Sequence, residues 1–364
     1  MHATGCSAFI TATGLQAKTH PMKRSISVLV LTDHRGHNSD NSLYALCSEL
    51  RRNPKVGAVH IASRGNPANN RFFYQFQNIA LRAWPLDGEM NYRDADYRFM
   101  QETIPANIKE YDWIWLRLPR PIPDGFFDFL AREVDERQIF NSPSGIEETS
   151  NKAFLANFAD ICPPLQLCPD VDSILNFQEQ FPIVLKPLEN YGGRGVVKVE
   201  NGFFYENDKK ASLQEYLPVL EQQFQLGGYM GMKFLRNVTQ GDKRIIVVNG
   251  DVVGAVLRLP PKGAWLCNAA QGGQAAMATA DARELQMARQ MADVLLPKGI
   301  AMFGMDTLVE DDGRRVLSEV NTLSIGGIKP LEDLTGKPMI KRTTDLLTDY
   351  MAAGTNLQRP ALVS

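Results

Sequence analysis

Residues 303–321 read FGMDTLVEDDGRRVLSEVN, and this stretch decides how the C-terminal half of the chain folds. Two apolar runs flank Asp312-Gly313, a dipeptide typical of a tight hairpin turn, so we predict strands over 303–310 and 314–320. A two-residue loop at this position places Asp306 directly opposite Glu319. Asn321 follows two residues after Glu319 and therefore lies on the same face of its strand.

Two facing carboxylates on apolar strands repel each other unless a cation lies between them. Asp306, Glu319 and Asn321 offer two carboxylates and an amide oxygen, the hard ligands that Mg²⁺ prefers where it bridges substrate phosphates. The pattern therefore predicts an Mg²⁺ site, with Mn²⁺ as an alternative metal. An exposed polar strand face is the other interpretation, and the residues alone leave it open.

A second stretch, LKPLENYGGRGV at 185–196, places a lysine at a strand end and a glycine-rich loop after it. Because 196–200 is again strand-like, we predict a strand-loop-strand flap and not a phosphate loop that leads into a helix. Glycines let backbone N–H groups approach phosphate oxygens, while Lys186 and Arg194 would neutralise phosphate charge. An ordinary glycine hairpin remains the alternative.

Two arginines belong to a third predicted structure, the hairpin around Asn249-Gly250. Arg244 ends the segment GDKR and Arg258 lies in LRLP; an arginine fork suits an acyl phosphate or a developing oxyanion because it donates two hydrogen bonds at once. A strict two-residue register puts the two side chains on opposite faces, so joint action requires a bulge or a strand end. Ordinary solvated charges are the alternative.

The N-terminal part has a different pattern, in which short apolar runs at 26–32, 59–62, 113–118 and 139–140 alternate with helical periodicity. It predicts a small parallel α/β domain with helices at 43–50 and 125–135, followed by a helix at 147–158. Asp33 and Arg117 lie at carboxyl strand ends, where such sheets bind ligands, although a helix cap and an ion pair explain them equally well. The fold class is therefore α/β, with α+β character in the C-terminal half.

Composition excludes several function classes. The 364 residues carry 39 Lys and Arg against 41 Asp and Glu, so no basic field attracts nucleic acid or an anionic membrane. Five scattered cysteines argue against a disulfide framework and favour a reducing cytoplasm. The five histidines all precede residue 61, which excludes a histidine-dependent triad or metal site in the C-terminal half. No apolar run is long enough for a membrane span.

Taken together, these motifs resemble the ATP-grasp superfamily and, more closely, the bacterial-type glutathione synthetases. The resemblance rests on Asn151-Lys152, the lysine strand with its glycine loop, the GDKR and LRLP segments, the stretch NAAQGG at 268–273, and the two carboxylate strands. It implies an ATP-grasp fold preceded by a small α/β domain. The implied division is a disordered tail 1–24, a substrate domain 25–145, a small ATP-grasp lobe 146–235, a C-terminal lobe 236–351 and a tail 352–364.

The resemblance also implies a role for each motif residue. It places ATP on Lys152, Lys186, Gly192, Gly193, Gly195, Lys233, Phe234 and Leu235. It places Mg²⁺ on Asp306, Glu319 and Asn321, and it makes Arg244 and Arg258 catalytic. It places the small-molecule substrates on Arg117, Asn268, Gly272, Gly273, Ser324 and Gly326. A homo-oligomer formed through the N-terminal lobe is implied as well.

The implied reaction is phosphorylation of a carboxylate of γ-glutamylcysteine by ATP, followed by attack of the glycine amine on the acyl phosphate. Two alternatives stay open. One is the same chemistry on another γ-glutamyl dipeptide or amine, because Leu266, Cys267 and Gln274 stand in a region where the family has arginines. The other is a non-catalytic nucleotide-binding protein, which the retained phosphate lysines and metal carboxylates disfavour.

Overall fold

Three β-sheets with flanking helices organise the chain in the computed structural model, which describes residues 25–190, 192–206, 209–261, 264–265 and 274–357, with side chains up to 354. The N-terminal sheet does not line the main cleft, which lies between the second and third sheets. None of the helices in these ranges is both long and apolar enough to cross a membrane.

The N-terminal sheet has the strand order β4-β3-β2-β1-β5-β6. Its strands are β1 Ile26–Thr32, β2 Val56–Ser63, β3 Leu81–Pro85, β4 Ile104–Ala106, β5 Trp113–Arg117 and β6 Ile139–Phe140. Its helices are α1 Leu43–Arg52, α2 Asn70–Gln75, α3 Ala95–Gln101 and α4 Phe126–Glu133. β1 pairs in parallel with β2 and β5, and β5 pairs in parallel with β6, as expected for strands joined by crossover helices.

The expectation of a wholly parallel N-terminal sheet is wrong at one side. β3 runs antiparallel to both β2 and β4. Each of these two short strands contains a proline, Pro85 at the end of β3 and Pro105 inside the edge strand β4. They therefore lack the continuous apolar run by which a parallel strand is recognised in a sequence.

The middle sheet has the order β11-β10-β9-β8-β12-β7, and every pairing in it is antiparallel. Its strands are β7 Leu165–Cys168, β8 Ile183–Pro187, β9 Val197–Glu200, β10 Phe203–Glu206, β11 Lys209–Ser212 and β12 Tyr229–Lys233. α6 Val171–Gln178 and α7 Leu213–Phe224 pack on it. β8 and β9 pair around the glycine loop, which confirms the predicted strand-loop-strand arrangement.

The helix predicted over 147–158 is two pieces in the structure. α5 Pro143–Ser150 ends before Asn151, whose backbone is extended, and a 3₁₀ segment then runs over Lys152–Phe158. The Asn151 side chain accepts from the N–H of Ala153, and the N–H of Lys152 donates to the carbonyl of Leu188 over 3.0 Å. The asparagine thus starts a new helical segment, as N-cap asparagines do, and this break turns Lys152 toward the cleft.

The C-terminal sheet is antiparallel and has the order β15-β14-β13-β16-β17. Its strands are β13 Asp242–Val248, β14 Asp251–Leu259, β15 Gln274–Ala278, β16 Met302–Val309 and β17 Arg315–Asn321. Its helices are α8 Ala282–Leu295, α9 Ile328–Thr335 and α10 Met339–Leu357. α8 covers one face of the sheet, where Met287 and Ala288 join the same apolar cluster as Ile245 and Val247.

The N-terminal and C-terminal parts are joined by buried contacts. α10 packs along α1, and the ring of Tyr350 lies 5.6 Å from that of Trp113. The Asn141 side chain donates to the carbonyls of Met302 and Thr322, which ties the end of β6 to β16 and to the loop after β17. α10 continues to Leu357, so the helix extends past residue 352, where we expected a tail to begin.

Candidate active site

A cleft of about 860 Å³ opens between the middle and C-terminal sheets. One wall consists of β8, the glycine loop and β12, and the other of β13, β16 and β17. Apolar side chains line part of it, among them Val184, Met232 and Leu308. Charged side chains line the rest, and they are Lys152, Lys186, Arg194, Lys233, Asp242, Asp306 and Glu319. An apolar slot beside concentrated charge suits a ligand with a flat base and phosphates.

Both predicted phosphate lysines lie in this cleft. The Lys186 ammonium donates to the carbonyl and hydroxyl of Ser318 over 3.0 and 2.9 Å, and Lys152 donates to the carbonyl of Asn190. Burial lowers the pKa of each lysine, and the nearby Glu319 counteracts that effect. No carboxylate within the described ranges lies within 4.0 Å of the Lys186 nitrogen, so neutral oxygens hold this cation in place. The positive charge of Lys186 is therefore not neutralised by a neighbouring carboxylate of the described residues, and it attracts an anionic ligand.

The glycine loop has a backbone that only glycine adopts without strain. Gly192, Gly193 and Gly195 have φ of +69°, +76° and +69°. A Cβ at Gly195 would also lie 3.0 Å from Cγ of Pro187, at the end of the lysine strand. Gly193 and Arg194 line the cleft directly. The loop therefore folds close over the lysine strand, as the flap prediction requires.

Lys233, Phe234 and Leu235, which the resemblance assigns to ATP, line the cleft at the end of β12, and we call this segment the hinge. The Lys233 ammonium is held by Asp311 over 3.0 Å, which fixes the hinge against the turn of the β16–β17 hairpin. Phe234 meets the indole of Trp265 edge-on at 5.7 Å. This end of the cleft thus presents aromatic side chains beside a lysine that is already paired with a carboxylate.

The β13–β14 hairpin contains the bulge that the two arginines require. Val248 pairs with Asp251 and Val247 with Val252, but Ile246 pairs with Gly254, so one extra residue enters β14. Beyond this shift Arg258 pairs with Asp242 and shares a face with Arg244. The two arginines are therefore brought together, which a strict register would have prevented.

Asp306 and Glu319 are register partners, as predicted, although the route to this pairing differs. The turn is a three-residue loop, 311–313, because Glu310 and Arg314 still pair through the N–H of Glu310. A second irregularity at Ser318 shifts β17 by one residue and restores the pairing of Asp306 with Glu319. The prediction of a two-residue loop at Asp312-Gly313 is therefore wrong. Gly313 has φ +85°, and its N–H donates to the carbonyl of Glu310, which closes the longer turn.

Asp306 is the electrostatic centre of the site. Arg244 binds it with both arms of its fork, and Arg258 adds a contact of 2.9 Å. Burial alone would raise the pKa of Asp306, but the two arginines lower it to about 2. Asp242 binds Arg258 through two hydrogen bonds of 2.6 and 2.8 Å. Burial and the neighbouring Asp306 raise the pKa of Asp242.

The donor set fits a hard divalent cation that also binds a ligand's phosphates. Within the described ranges no three His, Cys, Asp and Glu side chains are grouped as a metal site. Asp306 and Glu319 supply two carboxylates, and no described side chain forms a hydrogen bond with the Glu319 carboxylate or an ion pair with it within 4.0 Å. The Asn321 amide nitrogen faces Asp306 over 3.4 Å, and half a turn of that amide presents its oxygen instead. Such a partial oxygen set is what Mg²⁺ uses when phosphates complete its shell.

Of the residues predicted to bind substrate, the three that the structure describes, Arg117, Ser324 and Gly326, do not line the nucleotide cleft. The Arg117 side chain is buried and donates to the carbonyl of Ile325 over 2.7 Å, and burial lowers its pKa to about 10. Ser324, with φ +51°, donates to the carbonyl of Leu118 over 2.8 Å. Both therefore fasten the 322–327 loop to the N-terminal sheet. Gly326 has open space around it, and Asn268, Gly272 and Gly273 lie outside the described residues.

A second cleft of about 540 Å³ lies where this loop meets the N-terminal sheet. Its lining includes Arg120, Ser150, Asn321 and Ser324. Ser150 and Asn321 are close in the chain to Lys152 and Glu319 of the first cleft, so the two clefts adjoin. Arg120 is the one charged side chain of the second cleft among the described residues, and it also lines a neighbouring cleft with Glu147 and Glu189.

Sequence reasoning missed three participants in the site. Ser318 and Asn190 hold the two lysines, and neither residue type at these positions signals that role. Asp242 accepts hydrogen bonds from Arg258. The sequence spacing places Asp242 on the same strand face as Arg244, but its pairing with Arg258 depends on the bulge in β14. Gly254 inside β14 was a usable signal for that bulge, because a glycine inside a strand often marks one.

Two antiparallel sheets that enclose lysines, a glycine flap and paired carboxylates define an ATP-grasp enzyme. Solved structures agree with this fold: the ATP-grasp ligase PsnB, in complex with a minimal precursor, covers 91% of this chain and 100% of its own, with a TM-score of 0.55 and 15% identity.

Sequence comparison identifies the family. The profile of the prokaryotic glutathione synthetase ATP-grasp domain matches residues 151–336. The glutathione synthetase of Prochlorococcus marinus strain MIT 9313 is 32% identical over 237 residues, which are 64% of this chain and 73% of the relative. That of Prochlorococcus marinus strain MED4 is 28% identical over 251 residues, which are 67% and 77% of the two chains. The chain belongs to the prokaryotic glutathione synthetase family, and it is an ATP-dependent carboxylate-amine ligase that requires a divalent metal.

Proposed function

We propose that the protein is a glutathione synthetase, which joins γ-glutamylcysteine to glycine while ATP becomes ADP and phosphate. The observation that carries the proposal is the cleft in which Lys186 is held by neutral oxygens while Asp306 and Glu319 face each other nearby. A cation available to phosphates beside a pair of carboxylates suits a metal-bound nucleoside triphosphate. The names of the curated relatives support this particular reaction.

Each predicted nucleotide residue has a part in this proposal. Lys152 and Lys186 bind the phosphates, and the N–H groups of the glycine loop cover them. The hinge over residues 233–235 binds the base. Asp306, Glu319 and Asn321 hold Mg²⁺, for which Mn²⁺ is the expected substitute. When bound, the metal supplies positive charge to the phosphate oxygens of the nucleotide.

Arg244 and Arg258 act on the reacting carboxylate in this proposal. An oxygen of the carboxylate attacks the γ-phosphorus of ATP, and the bond to ADP breaks. The glycine nitrogen then attacks the acyl carbon and loses a proton, and inorganic phosphate leaves with its oxygen. Both steps place negative charge on oxygens beside β13 and β14. Two guanidinium forks on one sheet face stabilise that charge without a histidine.

The dipeptide binds in the second cleft in this proposal, between Arg120 and Asn321. Support comes from position and charge. The cleft adjoins the lysine end of the nucleotide cleft, and Arg120 offers a guanidinium to an anionic substrate group. Arg117 and Ser324 then contribute by holding the 322–327 loop.

The organisation of the chain is part of the same proposal. Residues 25–145 form the substrate domain, 146–235 the small ATP-grasp lobe and 236–351 the C-terminal lobe. The net charge of −2 and the scattered cysteines fit a cytoplasmic enzyme of small molecules. We also propose that it assembles as a homo-oligomer, which sedimentation of the purified protein tests.

One observation favours a second candidate, the same chemistry with another γ-glutamyl dipeptide or amine acceptor. Arg117 is buried and committed to a backbone carbonyl, so it does not reach a substrate carboxylate. In addition, Leu266, Cys267 and Gln274 replace the arginine-rich pattern of the family in the NAAQGG region. Recognition of the substrate carboxylates therefore falls to other residues, and the preferred substrates can differ accordingly.

The test is Mg²⁺-dependent ADP release with γ-glutamylcysteine, with and without glycine, and with products identified by mass spectrometry. We expect glutathione only when all components are present. Glu319→Gln is expected to lower turnover by at least about 100-fold, because it removes a charged metal ligand. Glu221→Gln, at an exposed position on α7, is the matched control and should behave as wild type.

The outcomes separate the candidates. Glutathione formation in the complete mixture alone supports the first. ADP release only with other dipeptides or amines supports the second. Nucleotide binding without turnover across the substrate panel contradicts both, and undiminished turnover in Glu319→Gln contradicts the metal assignment.

A further inference from the structure

The two arginines of the site are held in different ways. Arg258 has two carboxylate partners: Asp242, through hydrogen bonds of 2.6 and 2.8 Å, and Asp306, at 2.9 Å. Arg244 binds Asp306 through Nε and Nη2, and no other described carboxylate lies within 4.0 Å of it. Asp306 therefore receives N–H groups from both arginines.

The fold is built to bring Asp242 against Arg258. The bulge in β14 makes the two residues direct register partners, and both side chains are mostly buried. The chain approaches so closely here that a Cβ at Gly241 would lie 2.6 Å from the carbonyl oxygen of Arg258. Gly241 also has φ +87°, so a side chain at this position is unfavourable for two independent reasons.

Asp306 faces competing demands. Its two oxygens accept from both guanidinium groups, yet the same oxygens are the ones that a divalent cation of the nucleotide requires. Oδ2 of Asp306 accepts from both arginines and has about two lone pairs, so a cation can bind that oxygen only if one arginine gives up its contact there. Arg258 can do so at small cost, because its bidentate bond to Asp242 remains and its charge stays paired.

We propose that Asp242 is a positioning residue that holds Arg258 on itself and thereby keeps Asp306 available to the divalent cation of the nucleotide. The inference rests on the proposed metal role of Asp306. Without Asp242, the whole Arg258 fork turns to Asp306 as its remaining carboxylate partner. Arg258 then competes with the cation, and the affinity for the cation falls while the nucleotide lysines are untouched.

The test measures binding rather than turnover. Calorimetric titration with a non-hydrolysable ATP analogue, repeated over a series of Mg²⁺ concentrations, gives the Mg²⁺ concentration at half-saturation. Asp242→Asn keeps the side-chain shape and is expected to raise that concentration by about 10- to 100-fold, the range found when a group that orients a metal ligand is removed. Asp251→Asn, exposed at the start of β14, the strand that contains Arg258, is the matched control and should titrate as wild type.

A double variant separates positioning from a merely structural role. The double variant Asp242→Asn/Arg258→Met lacks the competing arginine. Its Mg²⁺ concentration at half-saturation should therefore lie within about threefold of that of Arg258→Met alone, a smaller change than the 10-fold increase expected for Asp242→Asn. A double variant as impaired as Asp242→Asn would overturn the proposal, as would wild-type Mg²⁺ dependence in Asp242→Asn.

Two further arms keep the test decisive. Arg258→Met does not depend on the folding of an Asp242 variant, and removing a competitor should leave Mg²⁺ half-saturation no higher than in wild type; a clear rise contradicts the proposal. Glu319→Gln reports on the metal assignment itself. If it binds Mg²⁺ like wild type, the proposed metal site fails; if it is impaired while Asp242→Asn is normal, only the role of Asp242 fails.

Discussion

Lys186→Met should make the unliganded protein more stable and the nucleotide complex weaker. The Lys186 ammonium lies in the cleft with two oxygens of Ser318 as its hydrogen-bond partners, and burial lowers its pKa. Such a cation is held in an unfavourable environment until an anion arrives. Methionine has nearly the same length and needs no solvation, so it fills the space without that penalty.

The size of the effect follows from two opposing contributions. Replacing buried charged groups by apolar side chains of similar volume ranges from neutral to about 4 kcal/mol of stabilisation. The two lost hydrogen bonds to Ser318 subtract about 0.5 to 1.5 kcal/mol each, or about 1 to 3 kcal/mol together. A buried cation without a described carboxylate partner belongs at the upper end of the first range, and the accessible surface that Lys186 retains reduces the gain, so we expect a net increase of about 0 to 2 kcal/mol in the free energy of unfolding. Loss of a charged phosphate contact should weaken ATP binding by about 10- to 150-fold.

The pH dependence has a definite sign. Since the folded-state pKa lies below the ordinary 10.5 of the side chain, the unfolded chain holds the proton more tightly. Wild-type stability therefore carries a penalty at neutral pH that disappears as the pH rises through the folded pKa toward 10.5. The advantage of Lys186→Met should be largest at neutral pH and should shrink in alkali.

Denaturant unfolding followed by circular dichroism, at several pH values and without nucleotide, measures this difference, and calorimetry measures ATP affinity. Lys337→Met, at an exposed position after α9, controls for the loss of a surface lysine. The reasoning is refuted if Lys186→Met is less stable than wild type by more than about 1 kcal/mol at neutral pH, the size of a typical net hydrogen bond. It is also refuted if its advantage grows in alkali.

Two other predictions concern the surroundings of the site. Glu284→Ala should lower the free energy of unfolding by about 3 to 5 kcal/mol. Glu284 is fully buried, and its loss leaves the Lys243 ammonium, which lies 2.6 Å from the carboxylate, without that partner. Glu284→Gln should cost less, and equal urea midpoints for the two variants would contradict this prediction. Gly304→Ala should lower kcat about tenfold and leave ATP affinity unchanged, because the added Cβ would lie 3.0 Å from Cδ of Arg244 and displace the guanidinium group. Gly36→Ala is the control, since no atom lies within 4 Å of a Cβ at that position, and it should behave as wild type. Unchanged kcat in Gly304→Ala would argue against a catalytic role for that arginine.

Much of the fold could be predicted from the sequence because its signals are local. Hairpin dipeptides, apolar periodicity and the lysine before a glycine loop identified β8 and β9 of the middle sheet and β13, β14, β16 and β17 of the C-terminal sheet, whereas β7, β10, β11, β12 and β15 were not predicted. The carboxylate pair shows the limit of such reasoning. The turn is one residue longer than expected, and only the irregularity at Ser318 returns Asp306 and Glu319 to the predicted pairing. Two deviations cancelled, and neither had a clear signature in the residues.

Arg117 shows a different limit. A charged residue at the carboxyl end of a strand suggests a ligand site, and that pattern was present. Its actual partner is the carbonyl of Ile325, 208 residues further along the chain. The contact depends on how the loop after β17 reaches the N-terminal sheet, and no local pattern encodes such an arrangement. Long-range contacts of this kind decide whether a charge faces a ligand or supports a loop.

The bulge in β14 explains why a single strand can satisfy two incompatible demands. Side chains of β14 that face α8 must be apolar, because they pack against that helix, whereas side chains on the opposite face at the cleft end of the strand are charged. In a strict register Arg258 would point toward α8, into the cluster that contains Met287 and Ala288, where a buried charge without a partner is strongly unfavourable. The extra residue moves Leu257 to that face and Arg258 to the face of Asp242. Gly254, next to the extra residue, has no room for a side chain, because a Cβ there would lie 2.5 Å from the side chain of Leu331 on α9. The packing of α8 and the charge arrangement of the cleft thus require the same irregularity, so a substitution that removes the bulge should disturb both together.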